Sequence, residues 1–149
     1  MNRVLIVCVG NICRSPMAEA ALRHGLPPRI SVQSAGLAAR AGDGVHPVAA
    51  RILDAHGWSM PSHVARQLHP GMLDEADLVL TMERRHANAL IAISPRVRAR
   101  LHLLGRWERN REIRDPCGRA PAEFERAFAD IRRCAQQWCE RITRMNESS

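Results

Sequence analysis

The chain has 149 residues, enough for one domain with a substantial core and too few for two of ordinary size. Its 22 basic and 15 acidic residues leave a formal charge of +7, which attracts acidic substrates, anionic surfaces and nucleic acid alike. Three Trp, two Phe and no Tyr offer few stacking platforms, and no zinc-finger or RRM-like pattern occurs, so no nucleic-acid binding is expected.

The apolar run after Arg3 stops at Gly10 without a small-residue cleavage site, and nothing else approaches membrane-spanning length. With no secretory signal, five cysteines fit a reducing compartment, so a cytoplasmic protein with no membrane span is expected.

Val4 to Val7 read as a buried strand, Gly10 and Asn11 as a tight turn, and Ser15-Pro16 as the N-cap and first position of a helix reaching Gly25. Pro27-Pro28 break the chain before a strand from Ile30 to Ser34. A small-residue loop runs from Gly36 to Gly44, and a helix from Pro47 stops at Gly57. After the loop Trp58 to His63 and the mixed segment Val64 to Leu68, Leu73 to Ala76 predict a short helical turn. Leu78 to Thr81 predict a central parallel strand.

Glu83 to Ile93 carries apolar residues at helical spacing and stops at Ser94-Pro95, and Arg100 to Leu104 is the last strand candidate. Gly105 to Ala120 is charged and aperiodic, a long surface loop containing Asp115-Pro116-Cys117-Gly118. From Pro121 the spacing of Phe124, Phe128, Ile131, Ala135, Trp138 and Ile142 predicts an amphipathic helix to Arg144, with Met145 to Ser149 fraying. Strands alternating with helices imply an α/β fold, a doubly wound sandwich whose four-stranded parallel sheet is flanked by helices, all within a single domain over residues 1–149.

A strand, a tight loop and a helix start, in that order, form an anion site beyond the carboxyl end of the strand. Cys8 opens this loop and Arg14 closes it. A thiolate is favoured by a helix N-terminus and a nearby arginine, and the same positive field binds a phosphate dianion. Arg14 adds a planar two-donor grip. Sulfur attack on phosphorus would then need a proton donor for the leaving oxygen, and Asp115 on the late loop is the best candidate. Read in isolation, Cys8 is equally a buried small side chain and Asp115 an ordinary Asp-Pro turn. Cys134 and Cys139 lack metal-ligand spacing and read as helix filling, Cys117 as an exposed bystander, and the arginine clusters at 84–85, 96–100 and 132–133 as solvated faces.

The run Cys8-Val9-Gly10-Asn11-Ile12-Cys13-Arg14-Ser15-Pro16 resembles the phosphate loop of the low-molecular-weight protein tyrosine phosphatases, and Asp115-Pro116 resembles their general-acid loop. Ser34-Ala35-Gly36, Ser62 to Gln67 and Thr81-Met82-Glu83 keep the family's order, so the likeness spans nearly the whole chain. It implies phosphotyrosine hydrolysis through a cysteinyl-phosphate, with no metal or organic cofactor and with inorganic phosphate as product. Cys8 is implied as nucleophile, Arg14 as clamp, Asp115 as acid and then base, and residues 9 to 15 as the phosphate cradle. Ser15 is implied to donate to the thiolate, and Asn11, Ser34 and His63 to brace the loop. Cys13 is implied as a partner in a protective disulfide with Cys8, with plain loop packing as the alternative.

Cys117 and Gly118 stand where many relatives have aromatic residues, and Leu37 to Gly42 lacks another aromatic wall, which leaves Leu37 and Arg40 as rim candidates. The profile is closer to the bacterial branch, whose members often act on a tyrosine autokinase of exopolysaccharide or capsule synthesis. Two rivals remain: an arsenate reductase of the same fold, which needs two further cysteines near mid-chain where none occurs between Cys13 and Cys117, and a non-catalytic phosphopeptide-binding module.

Overall fold

The structure, a computed structural model, describes residues 1–148. Four strands, β1 (Arg3–Cys8), β2 (Ser31–Gly36), β3 (Leu78–Thr81) and β4 (Leu101–Leu103), form one parallel sheet in the order β2-β1-β3-β4. Five helices accompany them: α1 (Arg14–Gly25), α2 (Pro47–Ala55), α3 (Pro70–Glu75), α4 (Arg84–Ile93) and α5 (Pro121–Glu147). None of the helices among the described residues is long and apolar enough to cross a membrane.

Alternation along β1 sends successive side chains to opposite faces, and both faces are covered. Val4, Ile6 and Cys8 join a core with α1, α2 and α5, centred on Met17, Leu22, Leu53, Phe124 and Trp138. Leu5 and Val7 join a smaller core with Leu73 of α3, Leu90 of α4 and Val97. The architecture is therefore the doubly wound α/β sandwich that the alternating pattern implied. Because β1 leads to β2 on one side and β3 lies on the other, the carboxyl end of β1 is the point where the strand order reverses, and a crevice opens there.

Several boundaries differ from the sequence reading, among them that of β2, which runs to Gly36 and not to Ser34. Pro70 occupies the first turn of α3, so that helix starts three residues before Leu73. Pro95–Arg100 closes into a 3-10 turn, which shortens the last strand to Leu101–Leu103. The terminal helix continues through Glu147 instead of fraying after Arg144, while Ser149, the end of the expected tail, lies outside the described residues.

The charged stretch 105–120 is not a loose loop. The Trp107 ring packs edge-on against Trp138 at 5.4 Å, and the Arg141 guanidinium lies 4.0 Å from its centroid on the same ring. Trp138 in turn donates its indole N–H to the Leu104 carbonyl at 2.9 Å. Glu108 accepts two hydrogen bonds from Arg133 at 2.5 and 2.8 Å and one from Arg111 at 3.0 Å. Further along, the Ile113 N–H reaches the Met82 carbonyl at 2.9 Å, and the Ile113 side chain is buried. The arginines expected as solvated faces also hold partners here: Arg133 bridges Glu108 and Asp130, and Arg100 donates to the carbonyls of Leu73 and Ala76.

Hydrogen bonds from Arg133 are the main reason that the Glu108 carboxyl is held down at about 2, against an ordinary 4.5. A depressed carboxyl stabilises the fold above its unfolded pKa and loses that contribution as pH falls through the folded one. The stability difference between wild type and Arg133→Ala, read from urea midpoints, is therefore expected to be full above about pH 4.5 and to shrink towards pH 2. A difference independent of pH would exclude this ion pair as its source.

Candidate active site

Cys8 ends β1, and the five residues after it curl around one small cavity before α1 begins. The carbonyls of this curl are all engaged from outside. Leu37, Ala38 and Arg40 donate backbone N–H groups to Cys8, Val9 and Gly10 at 2.9 Å each, His46 donates to Ile12 at 2.8 Å, and the His63 Nε2 donates to Asn11 at 2.8 Å. No peptide here is cis, and in a trans peptide the N–H opposes the preceding C=O. Carbonyls drawn outward therefore turn the N–H groups of Val9, Gly10, Asn11, Ile12 and Cys13 inward. The left-handed turn this requires is made by Asn11, with φ 60, rather than by Gly10. The small residue that the loop needs is Gly36 on β2, where a Cβ would stand 2.4 Å from the Val9 carbonyl oxygen.

The helix start differs from the expected one. α1 begins at Arg14, and Cys13, the residue before it, makes no side-chain cap. Ser15 lies inside the first turn, and its hydroxyl sits 2.9 Å from the Cys8 sulfur instead of capping. The first N–H groups of the helix thus stay free for an anion.

A chain of hydrogen bonds sets the direction of the Ser15 hydroxyl. The Arg66 N–H donates to Asn11 Oδ1 at 3.0 Å, which fixes the amide so that its NH2 faces Ser15 at 2.8 Å and Ser34 at 2.9 Å. Ser34 donates its hydroxyl hydrogen bond to the buried Glu19 carboxylate at 2.6 Å, and Arg23 pairs with Glu19 at 2.6 Å. Since the Ser15 oxygen accepts from Asn11, its hydrogen is left for Cys8. Glu19 and Arg66 went unrecognised in the sequence. An acidic residue amid the apolar residues of a helix was the available signal for Glu19, whereas Arg66 acts through its backbone N–H on Asn11 and through its Nε on the Ser34 carbonyl at 3.0 Å, a pairing across 32 residues.

Arg14 is buried, and its Nη1 donates to Glu83 Oε2 at 2.6 Å and to the Ile113 carbonyl at 2.8 Å. Its Nη2 stands 3.8 Å from Asp115 Oδ2, and Asp115 and Cys8 line the same cavity. Asp115 is partly exposed, and its Oδ1 accepts the Cys117 N–H at 3.0 Å, which holds the Asp-Pro turn. Behind Arg14, burial works against the Glu83 carboxylate, yet hydrogen bonds from Arg85 and Arg14 outweigh it and keep it below its usual range. His86 next to it is pushed down to about 4 by burial and by the Arg14 charge, so it is neutral near pH 7.

Two expected rim residues separate. Arg40 lines the cavity, whereas the Leu37 side chain packs onto the α3–α4 core because its backbone is tied to Cys8. Cys117 is half-buried rather than a bystander, and its thiol meets that of Cys13. Burial, with this contact added, pushes the Cys13 thiol far up, and burial raises Cys117 also. Cys134 and Cys139 fill the core, as their spacing suggested.

Converging N–H groups, a buried arginine, a thiol with an aimed hydroxyl and a carboxyl at the cavity edge can hold a tetrahedral anion and exchange a group with it. If Ser15 aids the thiolate form of Cys8, Ser15→Ala slows alkylation of Cys8 by iodoacetate at neutral pH by about tenfold. An unchanged rate would remove that role.

The family described as low molecular weight phosphotyrosine protein phosphatase matches residues 3–148. The low molecular weight protein-tyrosine-phosphatase Wzb of Salmonella typhi is 43% identical over 141 residues, covering 95% of this chain and 94% of that protein. The crystal structure of the Erwinia amylovora tyrosine phosphatase AmsI superposes with a TM-score of 0.89 at 38% identity, over 93% of this chain and 91% of the other. The tyrosine phosphatase Wzb of Escherichia coli K30, solved in complex with phosphate, gives 0.87 at 29% identity, over 94% and 97%.

Proposed function

The chain belongs to the low molecular weight phosphotyrosine protein phosphatase family and is a protein-tyrosine phosphatase, and we propose that it works through a cysteinyl-phosphate on Cys8. The observation that carries this reading is the placement of Cys8, Arg14 and Asp115 on one cavity of about 180 Å³ beneath inward-turned N–H groups. A phosphoryl dianion docks on the N–H groups of residues 9 to 15 and on the free edge of Arg14. Cys8 attacks phosphorus in line, so that an S–P bond forms as the P–O bond to tyrosine breaks. Asp115 protonates the departing phenolic oxygen. In the second step Asp115 takes a proton from water, the new O–P bond forms, the S–P bond breaks and inorganic phosphate leaves. Charge spread over the equatorial oxygens meets donors already in place.

Asn11, Ser34 and His63 act through the loop, each holding or held to a loop atom by a hydrogen bond. For Cys13 we keep the protective role, in which a Cys8 sulfenic acid formed by a hydroperoxide is captured by the Cys13 thiol with loss of water. The physiological substrate we assign to the cytoplasm is a phosphotyrosine protein of the bacterial tyrosine autokinase type that serves exopolysaccharide or capsule synthesis. Bacterial relatives covering nearly the full chain support this assignment.

Cys8→Ser is expected to abolish turnover of phosphotyrosine and of para-nitrophenyl phosphate assayed without metal or thioredoxin, and Asp115→Asn to lower kcat by roughly 10²–10⁴-fold. Acid-quenched wild type should carry phosphate on Cys8. Near-normal turnover in either variant defeats its assigned role.

A further inference from the structure

We propose that Arg40 and Arg119 are specificity-determining residues, and that the segment they select carries carboxylate side chains on either side of its phosphotyrosine. The inference rests on the reading of the cavity as the phosphoryl site and deepens it, because it concerns the peptide that stays outside.

Arg40 is held at the mouth by its backbone. Its N–H donates to the Gly10 carbonyl at 2.9 Å, and the neighbouring Ala39 N–H donates to Gln67 Oε1 at 2.9 Å, while Gln67 Nε2 grips the Leu37 carbonyl at 2.7 Å. From this fixed point the side chain crosses the phosphate loop. Its Cγ stands 3.6 Å from where a Cβ on Gly10 would lie, and the residue joins the lining of the cavity. The side chain is 69% exposed, and its one charged contact is from Nε to Asp43 Oδ2 at 3.7 Å, a pair open to water on both sides. Nη1 and Nη2 have no hydrogen-bond partner among the described residues.

Arg119 stands across the mouth. The strand order β2-β1-β3-β4 puts the segment after β2, with Arg40, on one flank of the Cys8 loop. The acid loop, bonded through Ile113 to Met82 beyond β3, lies on the other. There the Arg119 N–H closes a turn onto the Pro116 carbonyl at 3.0 Å, with Gly118 at φ 79 supplying the left-handed residue that such a turn needs. The turn carries Cys117, which lines the cavity, so Arg119 follows directly on its edge. Its side chain is exposed and has no ion-pair or hydrogen-bond partner among the described residues.

Inside the cavity the phosphoryl group already meets Arg14 and the inward N–H groups, so these two outer guanidiniums are available to something else. Each offers a planar fork that matches a carboxylate. A chain crossing the mouth brings the residues before and after its phosphotyrosine to the two flanks, where acidic side chains are paired and basic ones repelled. The net charge of +7 cannot make this choice by itself. Screening confines exposed charges to about 8 Å at physiological ionic strength, which leaves the discrimination to cations at the mouth.

The test compares kcat/KM for phosphotyrosine peptides that are identical except for glutamate, alanine or lysine at the positions flanking the phosphotyrosine. Wild type is expected to favour the glutamate over the lysine peptide about tenfold at about 0.05 M NaCl, and the ratio is expected to fall towards one at about 0.5 M. Arg40→Gln and Arg119→Gln should each lower the ratio about two- to threefold, and the double reversal Arg40→Glu with Arg119→Glu should invert it. Arg96→Glu is the charge control: this exposed residue lies in the 3-10 turn before β4, at the amino end of the sheet, and its variant should keep the wild-type ratio. A ratio of two peptides on one preparation does not depend on the fraction of folded enzyme. A wild-type ratio near one, or an Arg96→Glu ratio lowered as much as that of the mouth variants, overturns the proposal. Failure of all three peptides while para-nitrophenyl phosphate is still hydrolysed would instead overturn the phosphotyrosine-protein substrate on which the proposal rests.

Discussion

The outward pull on five consecutive carbonyls is the constraint from which the site follows. A loop whose C=O groups were free could face them inward and repel an anion. Here three donors from the segment after β2, one from His46 and one from His63 occupy them all, and the N–H groups have nowhere to turn but inward. This explains why segments distant in sequence keep their composition. Gly36 must lack a Cβ for β2 to run beneath Val9, and His63 must present Nε2–H to Asn11. The parallel pairing of β1 with β2, which sets Cys8 against Gly36, brings these segments into register.

Arg14 carries the same order across to the other side of the crevice. Its Nη1 joins α1 to Glu83 beyond β3 and to Ile113 of the acid loop, so one buried cation links three segments. A buried charge left without partners is expensive, and the pairing is therefore as much a requirement of burying Arg14 as a device for catalysis. The acid loop is held in turn from α5, through Glu108 with Arg133 and through Trp107 between Trp138 and Arg141. The long terminal helix thus sets where Asp115 stands, although it contributes nothing to the cavity.

Local chemistry was legible in the sequence, and long-range geometry was not. Cys8, Arg14 and Asp115, which the fold brings to one cavity, could be singled out because the roles proposed for them, nucleophile, clamp and acid, go with residue type and with position after a strand, at a helix start or on a late loop. Strand and helix order came through because each core face has its own periodicity. Ser before Pro is a good cap signal, yet the Ser15 hydroxyl does not cap; it lies 2.9 Å from the Cys8 sulfur, the contact that the family likeness implied. Glu19 and Glu83 belong to the site through partners many residues away, on β2 for Glu19 and on α1 for Glu83, and no local pattern encodes such pairings. Position alone makes Leu37 a rim candidate, whereas its backbone tether to Cys8 turns the side chain into the opposite core.

The rim gains meaning when set beside this rigid interior. Among the described residues the cavity lining carries no aromatic ring; Ala38, Arg40 and Cys117 stand at its edge. Cys117 is partly buried and packs against the core cluster that includes Cys13, and a thiol offers no ring face as a wall. A phenyl ring entering such a mouth finds little surface to stack on, while its phosphoryl group meets a full set of oriented donors. Stacking on a ring acts about equally on bound substrate and transition state and so mainly lowers KM, whereas donors aimed at the equatorial oxygens act most strongly as charge develops there. A site with a bare rim and a braced interior therefore concentrates its binding energy on the phosphoryl group, the part of the substrate that changes during the reaction, and leaves selection among phosphotyrosine proteins to surfaces beyond the cavity.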